Sequence, residues 1–353
     1  MEKYSHGGEI YNKKVTLDYS TNINPLGLPP SVKSTLINNM DQFVLYPDNT
    51  CGTLSTAIAD YEQINKDFII CGNGASDLIF RLCFALKPKK ALLLAPTFSE
   101  YEKALHAAGS DIDYYLLDEK EEFDITDKVV DNLNESIDIL FLCNPNNPVG
   151  NLISQDVLEK IMNKCLECKI FLVMDECFLD FVEGGKEYSL KRYVKDKDSL
   201  FILKAFTKIY AMAGLRLGYG ICSNTQLLIR MQNMGPSWNV SIPAQIAGVE
   251  ALKQQEYIHE TEVLIKRERS YLYNNLLELG LKVYQPSANY IFFKSIGELY
   301  DVMLTKGILI RQCDNYNQLS QEYYRIAVRN HEDNIELINQ LRNENLTKTA
   351  DRS

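Results

Sequence analysis

The feature that most constrains the fold is an alternation of short apolar runs with helix-like stretches between residues 68 and 223. Helix-like stretches such as Ser76–Leu86 and Ser154–Glu167 lie between several of the runs. Strands that are apolar on both faces and joined by helices form mostly parallel sheets covered on both sides. The pattern therefore predicts an α/β unit whose strands are the runs Phe68–Cys71, Ala91–Ala95, Ile139–Cys143, Ile170–Met174, Leu200–Leu203 and Gly218–Cys222.

The C-terminal part of the chain has a different pattern, which predicts a smaller α+β unit. Its strand-like segments are Val283–Tyr284, Tyr290–Phe293, Ile308–Ile310 and Tyr324–Val328, with helices near Glu298–Thr305 and Glu332–Asn343. The N-terminal residues are rich in loop signals and are expected to fold back against this unit. We therefore predict a large domain of residues 41–259 and a small domain formed by residues 1–40 and 260–353.

Composition and charge exclude several classes of function. The chain carries 37 Lys and Arg against 47 Asp and Glu, a net charge of −10, which argues against nonspecific nucleic-acid binding. No apolar run approaches the roughly 18 residues that span a bilayer, and no secretion signal is expected. The nine cysteines should then be reduced, so we predict a cytoplasmic protein without membrane or nucleic-acid partners. Cys165 and Cys168 lack the further ligands of a structural zinc site, so no metal is expected.

Polar residues follow the apolar runs at four junctions, where open α/β sheets bind ligands. The turn Gly72–Asp77 opens a helix and could hold a phosphate on backbone N–H groups, although a simple glycine turn is equally consistent. The segment Cys143–Gly150 presents two asparagines between prolines, as a ligand contact or a plain turn. Asp175 ends an apolar run and needs a cation or a capping role. Lys208, with Arg216 beyond it, is either a surface lysine or an amine that forms a Schiff base.

Together the four junctions supply what pyridoxal 5′-phosphate requires: a phosphate cradle, an oxygen contact, an acid for the ring nitrogen and a reactive lysine. The motifs Asn144–Gly150, Asp175-Glu176, Thr207-Lys208 and Gly214–Tyr219 resemble those of the fold-type I pyridoxal-phosphate enzymes of the aspartate aminotransferase superfamily. Within it, the sequence is similar to the histidinol-phosphate aminotransferase branch from about His6 to Asn345. The resemblance implies the same α/β fold, with a large domain built on a mostly parallel sheet and a small α+β domain.

The resemblance also implies roles for individual residues. Lys208 would carry the cofactor as a Schiff base, and Asp175 would keep the ring nitrogen protonated. Asn147 would contact the ring oxygen, and Phe98 would stack on the ring. Tyr46 would reach the phosphate of the cofactor in a neighbouring subunit, which implies a homodimer. The other implied contacts are Gly74, Ala75, Ser76, Phe178, Thr207 and Arg216 for the cofactor, and His6, Asn24, Arg311, Arg325 and Arg329 for an acidic substrate.

Two positions depart from the aminotransferase pattern. Ala205 stands where a Ser or Thr hydroxyl usually binds the cofactor phosphate, and Phe178 stands where a Tyr is usual. The same Phe occurs in a related group, the L-threonine-O-3-phosphate decarboxylases, which the sequence also resembles in the segments His6–Gly8, Asn22–Gly27, Ile308–Cys313 and Tyr323–Arg329. Each segment alone is also consistent with ordinary variation among aminotransferases. Taken together they imply a carboxy-lyase that converts L-threonine O-3-phosphate to (R)-1-aminopropan-2-yl phosphate for the cobalamin side chain.

Two other functions remain open at the level of the sequence. The first is histidinol-phosphate aminotransferase, an enzyme of histidine biosynthesis, which would use 2-oxoglutarate and glutamate in its second half-reaction. The second is a non-catalytic regulatory module of a transcription factor, which would need an added DNA-binding segment. The presence of both Lys208 and Asp175 favours an enzyme over the regulatory module.

Overall fold

The computed structural model of the chain describes residues 6–295 and 298–344. In chain order its strands are β1 (Leu17–Asp18), β2 (Ile69–Gly72), β3 (Lys90–Ala95), β4 (Asp111–Leu116), β5 (Ile139–Cys143), β6 (Phe171–Asp175), β7 (Leu200–Ala205), β8 (Gly218–Ile221), β9 (Lys282–Val283), β10 (Tyr290–Lys294), β11 (Ile308–Leu309), β12 (Arg311–Gln312) and β13 (Tyr323–Ala327). Its helices are α1 (Pro30–Asn38), α2 (Gly52–Glu62), α3 (Ala75–Leu86), α4 (Ser99–Ala107), α5 (Gln155–Glu167), α6 (Phe206–Ile209), α7 (Thr225–Asn233), α8 (Ile242–Ala251), α9 (Gln255–Glu278), α10 (Leu299–Thr305) and α11 (His331–Arg342).

The largest sheet has seven strands in the order β2-β8-β7-β6-β5-β3-β4. Strand β8 runs antiparallel to both of its neighbours, and the remaining pairs are parallel. All six apolar runs form strands of this sheet, which confirms the predicted α/β class. The pattern of apolar runs did not predict β4, because this edge strand is mostly exposed and has the mixed sequence Asp111–Leu116.

The centre of the sheet brings the candidate residues to one edge. Strands β5 and β7 are buried along their whole length, as expected for apolar strands covered on both faces. Neighbouring parallel strands end at nearly the same level, and the register places Cys143 beside Asp175 and Asp175 beside Leu203. The loops that follow β5, β6 and β7 therefore begin side by side.

The helices follow from local sequence signals. Helix α5 begins after Ser154, whose hydroxyl accepts a hydrogen bond from the N–H of Val157 at 3.4 Å. Its apolar side chains recur at helical spacing and form one buried face with Leu158, Ile161, Met162 and Cys165. The longest helix, α9, has charged residues throughout. Among residues 6–295 and 298–344, no helix combines the length and apolar character needed to cross a membrane.

A second, antiparallel sheet has four strands in the order β12-β13-β10-β9. The short strand β1 pairs in parallel with β11, which joins the N-terminal segment to this part of the chain. The predicted boundary between residues 259 and 260 falls inside α9. The division into two domains therefore stays a prediction, while the two sheets and their order are structural findings.

Candidate active site

A cavity of about 390 Å³ lies at the ends of β5, β6 and β7, with β12 and β13 contributing to its wall. It brings together most of the residues singled out from the sequence. The predicted site residues that line it are His6, Ala75, Ser76, Phe98, Asn147, Asp175, Phe178, Thr207, Lys208, Arg216, Arg311 and Arg325, with Ala205 beside them. Four other predicted site residues, Tyr46, Gly74, Asn24 and Arg329, lie outside this lining.

Lys208 sits on the short helix α6, directly after β7. Burial lowers the pKa of its ammonium group to about 8, and the positive charges of Arg325 and Arg216 contribute to the same shift. A substantial fraction of the amine is therefore neutral near pH 8, the form that can attack a carbonyl or accept a proton. Burial and the two arginines thus favour the neutral form of this amine, which the sequence alone did not indicate.

Asp175 is a buried carboxylate at the end of β6, with only 5% of the residue exposed. Tyr101 donates its hydroxyl hydrogen to Oδ2 at 2.5 Å, and the backbone N–H of Cys177 donates to Oδ1 at 2.9 Å. Burial raises the pKa of Asp175, and these hydrogen bonds act in the opposite direction. A protonated ring nitrogen would supply the cation that a buried carboxylate requires. Sequence reasoning missed Tyr101, which lies on α4 far from the recognised motifs.

The oxygen of the Asn147 side chain is already occupied by two donors. Arg325 donates to Oδ1 from Nη1 at 2.5 Å, and the hydroxyl of Tyr316 donates to the same atom at 3.3 Å. The amide NH₂ of Asn147 is then the part of this side chain that can donate to an oxygen in the cavity. Tyr316 also lines the cavity and was not predicted from the sequence.

The start of α3 forms a cradle that leaves room for an anion. Gly74 precedes the helix with φ of 82°, and the helix start has no side-chain cap. A Cβ on Gly74 would collide with the guanidinium of Arg216, and a Cβ on Gly218 would lie 2.6 Å from the backbone nitrogen of Ala75. Uncapped N–H groups at a helix start, beside an arginine, are suited to a phosphate. The cradle therefore fits the phosphate of the predicted cofactor.

Ala205 leaves one side of this cradle without a hydroxyl group. The neighbouring Lys204 does not replace it, because its ammonium group pairs with Asp180 at 3.2 Å and with Glu62 at 3.5 Å. Lys204 is also absent from the residues that line the cavity. The hydroxyl of Thr207 remains on the same turn.

Two arginines that line the cavity lie side by side on the neighbouring strands β12 and β13. Arg311 and Arg325 are directly paired in the register of β12 and β13. Arg325 donates to the backbone oxygen of Ser20 at 2.9 Å, while its buried Nε has no hydrogen-bond partner. Arg311 donates to the side chain of Asn315 at 2.5 Å. Two adjacent buried guanidinium groups are suited to bind one acidic group of a ligand.

His6 lies at the cavity and contacts a second set of charged groups. Its Nε2 is 2.9 Å from a carboxylate oxygen of Glu100, and its ring lies 5.7 Å from the ring of Phe98. Lys103 approaches the same oxygen of Glu100 at 3.4 Å. Burial alone would raise the pKa of Glu100, but His6 and Lys103 hold it below its ordinary value. Glu100 and Lys103 both line the cavity, and sequence reasoning missed them because they belong to the plain amphipathic pattern of α4.

Asn24 lies behind Lys208 instead of in the cavity wall. Its backbone N–H donates to the backbone oxygen of Lys208 at 3.1 Å. Its side-chain amide donates to the backbone oxygen of Ile209 at 2.8 Å and to the hydroxyl of Thr261 at 2.7 Å. Asn24 is therefore bonded to the backbone of the turn that carries Lys208.

Arg329 points to a different environment from that of Arg325. Its Nε donates to Asp333 at 2.8 Å, and its Nη1 donates to the backbone oxygen of Asp18 at 3.0 Å. Arg329 follows β13, which ends at Ala327, and it does not line the cavity.

Tyr46 is also remote from the cavity of its own chain. The residue is 79% exposed, and its ring lies 4.7 Å from the ring of Trp238. In the part of the chain that the structure describes, Tyr46 does not line the active-site cavity.

Comparison with known proteins extends over nearly the whole chain. The family model of aminotransferase class I and II matches residues 14–341. The chain is 37% identical to the threonine-phosphate decarboxylase of Salmonella typhimurium, covering 96% of both proteins. It is 36% identical to a putative threonine-phosphate decarboxylase of Caldanaerobacter subterraneus subsp. tengcongensis, covering 97% of this chain and 94% of the relative. The crystal structure of histidinol-phosphate aminotransferase from Clostridium acetobutylicum is 32% identical, with a TM-score of 0.87 over 93% of this chain and 98% of that one.

Proposed function

The chain belongs to the class I and II aminotransferase family, whose members use pyridoxal 5′-phosphate, and we propose that within this family it is a decarboxylase of L-threonine O-3-phosphate. The products would be CO₂ and (R)-1-aminopropan-2-yl phosphate, the latter a precursor of the cobalamin side chain. Similarity to two threonine-phosphate decarboxylases over nearly the whole chain supports this function.

The observation that carries the proposal is that the cavity has two groups of donors on different elements. One is the guanidinium pair Arg311 and Arg325, and the other is the ammonium group of Lys103 with the imidazole of His6, both of which bond to Glu100. L-Threonine O-3-phosphate has two acidic groups, a carboxylate and a phosphate, which these two groups would bind. Histidinol phosphate has only one acidic group, so it would engage only one of these two groups of donors.

The cavity fits the cofactor at each of its polar groups. The cradle of Gly74, Ala75, Ser76, Thr207 and Arg216 would hold its phosphate, Asn147 would donate to its ring oxygen, and Phe98 and Phe178 would contact the ring. When bound, pyridoxal phosphate accepts the electron pair released by the bond that breaks at the substrate Cα.

The residues of the chain would supply charge, position and protons. Asp175, with Tyr101 donating to it, would hold a proton on the ring nitrogen. Lys208 would bind the cofactor covalently and, once the substrate amine has replaced it, deliver a proton to Cα, for which a pKa of about 8 is suitable. The arginine pair and His6 would hold the two acidic ends and thereby determine which bond at Cα can break.

Asn24 and Arg329 would not contact the substrate but would position residues or segments near it. Asn24 would keep the Lys208 turn in place through its bonds to the backbone of Lys208 and Ile209. Arg329 would fix the N-terminal segment through the backbone oxygen of Asp18. We therefore propose positioning roles for these two residues and direct substrate contact for His6, Arg311 and Arg325.

A homodimer is part of the proposal. The segment from Met40 to Tyr46 exposes several large apolar side chains, among them Val44 at 86% and Leu45 at 63%. A contiguous exposed apolar segment is typical of an interaction surface. In the dimer Tyr46 would reach the cofactor phosphate of the partner subunit. The nine free thiols of the chain support a reducing, cytoplasmic location.

A second candidate function is histidinol-phosphate aminotransferase, which the similarity to the Clostridium acetobutylicum enzyme favours. The test offers the purified holoenzyme L-threonine O-3-phosphate in one reaction and histidinol phosphate with 2-oxoglutarate in another. We expect release of CO₂ in the first reaction and little glutamate in the second. Faster formation of glutamate than of CO₂ would favour the aminotransferase.

A further inference from the structure

A second cavity, of about 330 Å³, shares no lining residue with the active-site cavity. It is enclosed by the start of α2, by β2 and by the segment between α7 and α8. Cys51 and Cys71 both line it. Cys51 is the residue immediately before α2, with φ of 51°, and Cys71 lies in β2 with its Sγ 3.7 Å from the hydroxyl of Ser55.

A buried arginine faces the same cavity. Arg81 is 5% exposed and donates from Nε to Asp77 at 3.0 Å, while its buried Nη2 has no hydrogen-bond partner. Gly235 lies against the guanidinium so closely that a Cβ at this position would overlap it. The cavity therefore offers one uncommitted donor, Nη2 of Arg81, beside the Arg81–Asp77 ion pair, and this N–H is available to an anionic group such as a thiolate.

The two thiols are electrostatically unequal. The neighbouring Cys71 thiol is the main influence that lowers the pKa of Cys51, with Arg81 contributing and with burial and Asp48 opposing. The same interaction, together with burial, raises the pKa of Cys71 well above its ordinary value. A position at the start of α2 further favours a thiolate at Cys51, because the positive end of the helix dipole lies there. Cys51 is thus suited to attack, and Cys71 to retain its proton.

We propose that Cys51 and Cys71 form a redox-active dithiol, which hydrogen peroxide converts into a disulfide. The Cys51 thiolate attacks one peroxide oxygen, the O–O bond breaks, and a sulfenic acid and hydroxide form. The Cys71 sulfur then attacks the Cys51 sulfur, and the S–O bond breaks. The departing hydroxyl takes the proton of Cys71 and leaves as one water, and the hydroxide of the first step takes the proton that Cys51 lost on ionising and forms the second. Two thiols are oxidised in total, and one peroxide is reduced.

The position of the pair would link this chemistry to the cofactor site. Tyr46 precedes Cys51 by five residues, and Gly74 follows Cys71 by three. A disulfide would therefore join the segment that is proposed to reach the partner's cofactor to the strand that leads into the phosphate cradle. The proposal of a dithiol depends only on the residues of the second cavity, so it does not depend on the substrate of the enzyme.

The test treats the holoenzyme with one equivalent of hydrogen peroxide and maps its peptides without reduction. We expect a peptide pair joined through Cys51 and Cys71, with the loss of two hydrogens. The Cys71→Ser variant should stop at a sulfenic acid on Cys51, which dimedone captures, and Cys51→Ser should give neither product. Cys83→Ser is the matched control, because burial raises the pKa of that thiol to about 12, and it should form the same disulfide as the wild type.

A second measurement on the wild type needs no substitution. Limiting iodoacetamide should label Cys51 ahead of the other eight cysteines if its thiolate is the favoured nucleophile. Absence of the Cys51–Cys71 peptide pair in folded, peroxide-treated wild type would overturn the proposal. Preferential labelling or oxidation of a different cysteine would overturn it as well.

Discussion

Replacing Ala205 by serine tests the reading of the phosphate cradle most directly. Ala205 is 6% exposed and lines the cavity at the end of β7, on the turn that carries Thr207 and Lys208. The adjacent Lys204 is engaged by Glu62 and Asp180, so it does not take the place of the missing hydroxyl. A serine here would add one donor to the cradle without adding appreciable bulk.

The expected magnitude follows from the strength of hydrogen bonds to charged groups. Such a bond contributes about 1.5–3 kcal/mol before the cost of ordering the hydroxyl. A net gain near 1.4 kcal/mol corresponds to a tenfold change in affinity, so we expect Ala205→Ser to tighten pyridoxal phosphate binding by up to roughly tenfold. A hydroxyl that finds no partner in this buried position would instead cost about 1–3 kcal/mol of stability.

The assay titrates the apoprotein with pyridoxal phosphate by absorbance and follows urea unfolding of the same preparation. Ala91→Ser is the matched control, because Ala91 is fully buried in β3 and does not line the cavity. The control should lower stability and leave the Kd unchanged. If Ala205→Ser behaves like the control, with lower stability and an unaltered Kd, the hydroxyl does not reach the phosphate and the reasoning is wrong.

Four further predictions concern Lys208, the residues proposed to bind the substrate and the proposed dimer. The Lys208→Ala variant should show no turnover and no covalent fixation of the cofactor by borohydride, although it should still bind the cofactor noncovalently. Wild-type turnover in this variant would refute the proposal that Lys208 carries the cofactor. Because the pKa of Lys208 is lowered to about 8, its neutral form predominates above that pH, so capture of added cofactor by the apoprotein should accelerate as pH rises through 8, with Lys208→Met showing no such capture. Arg325→Ala should raise the KM for L-threonine O-3-phosphate by about tenfold or more, since one hydrogen bond to a charged group is worth about 1.5–3 kcal/mol. His6→Ala should also raise this KM, with little effect on cofactor affinity, and Arg329→Ala should raise it less than Arg325→Ala does. Equal effects of Arg325→Ala and Arg329→Ala on the KM would contradict the geometry. Tyr46→Phe should weaken cofactor retention in the dimer, and an active monomer on dilution would refute the proposed interface.

The sequence predicted the elements of the fold well where burial is uniform. All six apolar runs became strands, because a strand that is covered on both faces must be apolar throughout. The apolar pattern did not predict the edge strand β4, because an exposed strand can contain polar residues. The reversed direction of β8 was also not predicted, because apolar composition says nothing about the direction of a strand.

The sequence likewise indicated the cofactor contacts that belong to local motifs. Asp175, Asn147 and Lys208 follow strands whose ends meet at one edge of the sheet, so their approach to one another follows from strand order and direction. Their individual roles remain predictions, but their gathering in one cavity is a structural finding.

The sequence by itself determined the α/β fold class, the family and the types of residue available at the site. Only the tertiary structure decided which distant groups meet them: the hydroxyl of Tyr101 on Asp175, the pairing of Arg311 with Arg325, and Glu100 beside His6. It also shows that Asn24 and Arg329 do not line the cavity. The physical reason is that periodicity and turn chemistry act over a few residues, whereas side-chain contacts and burial, which set the pKa of Lys208, depend on chain segments brought together only by folding.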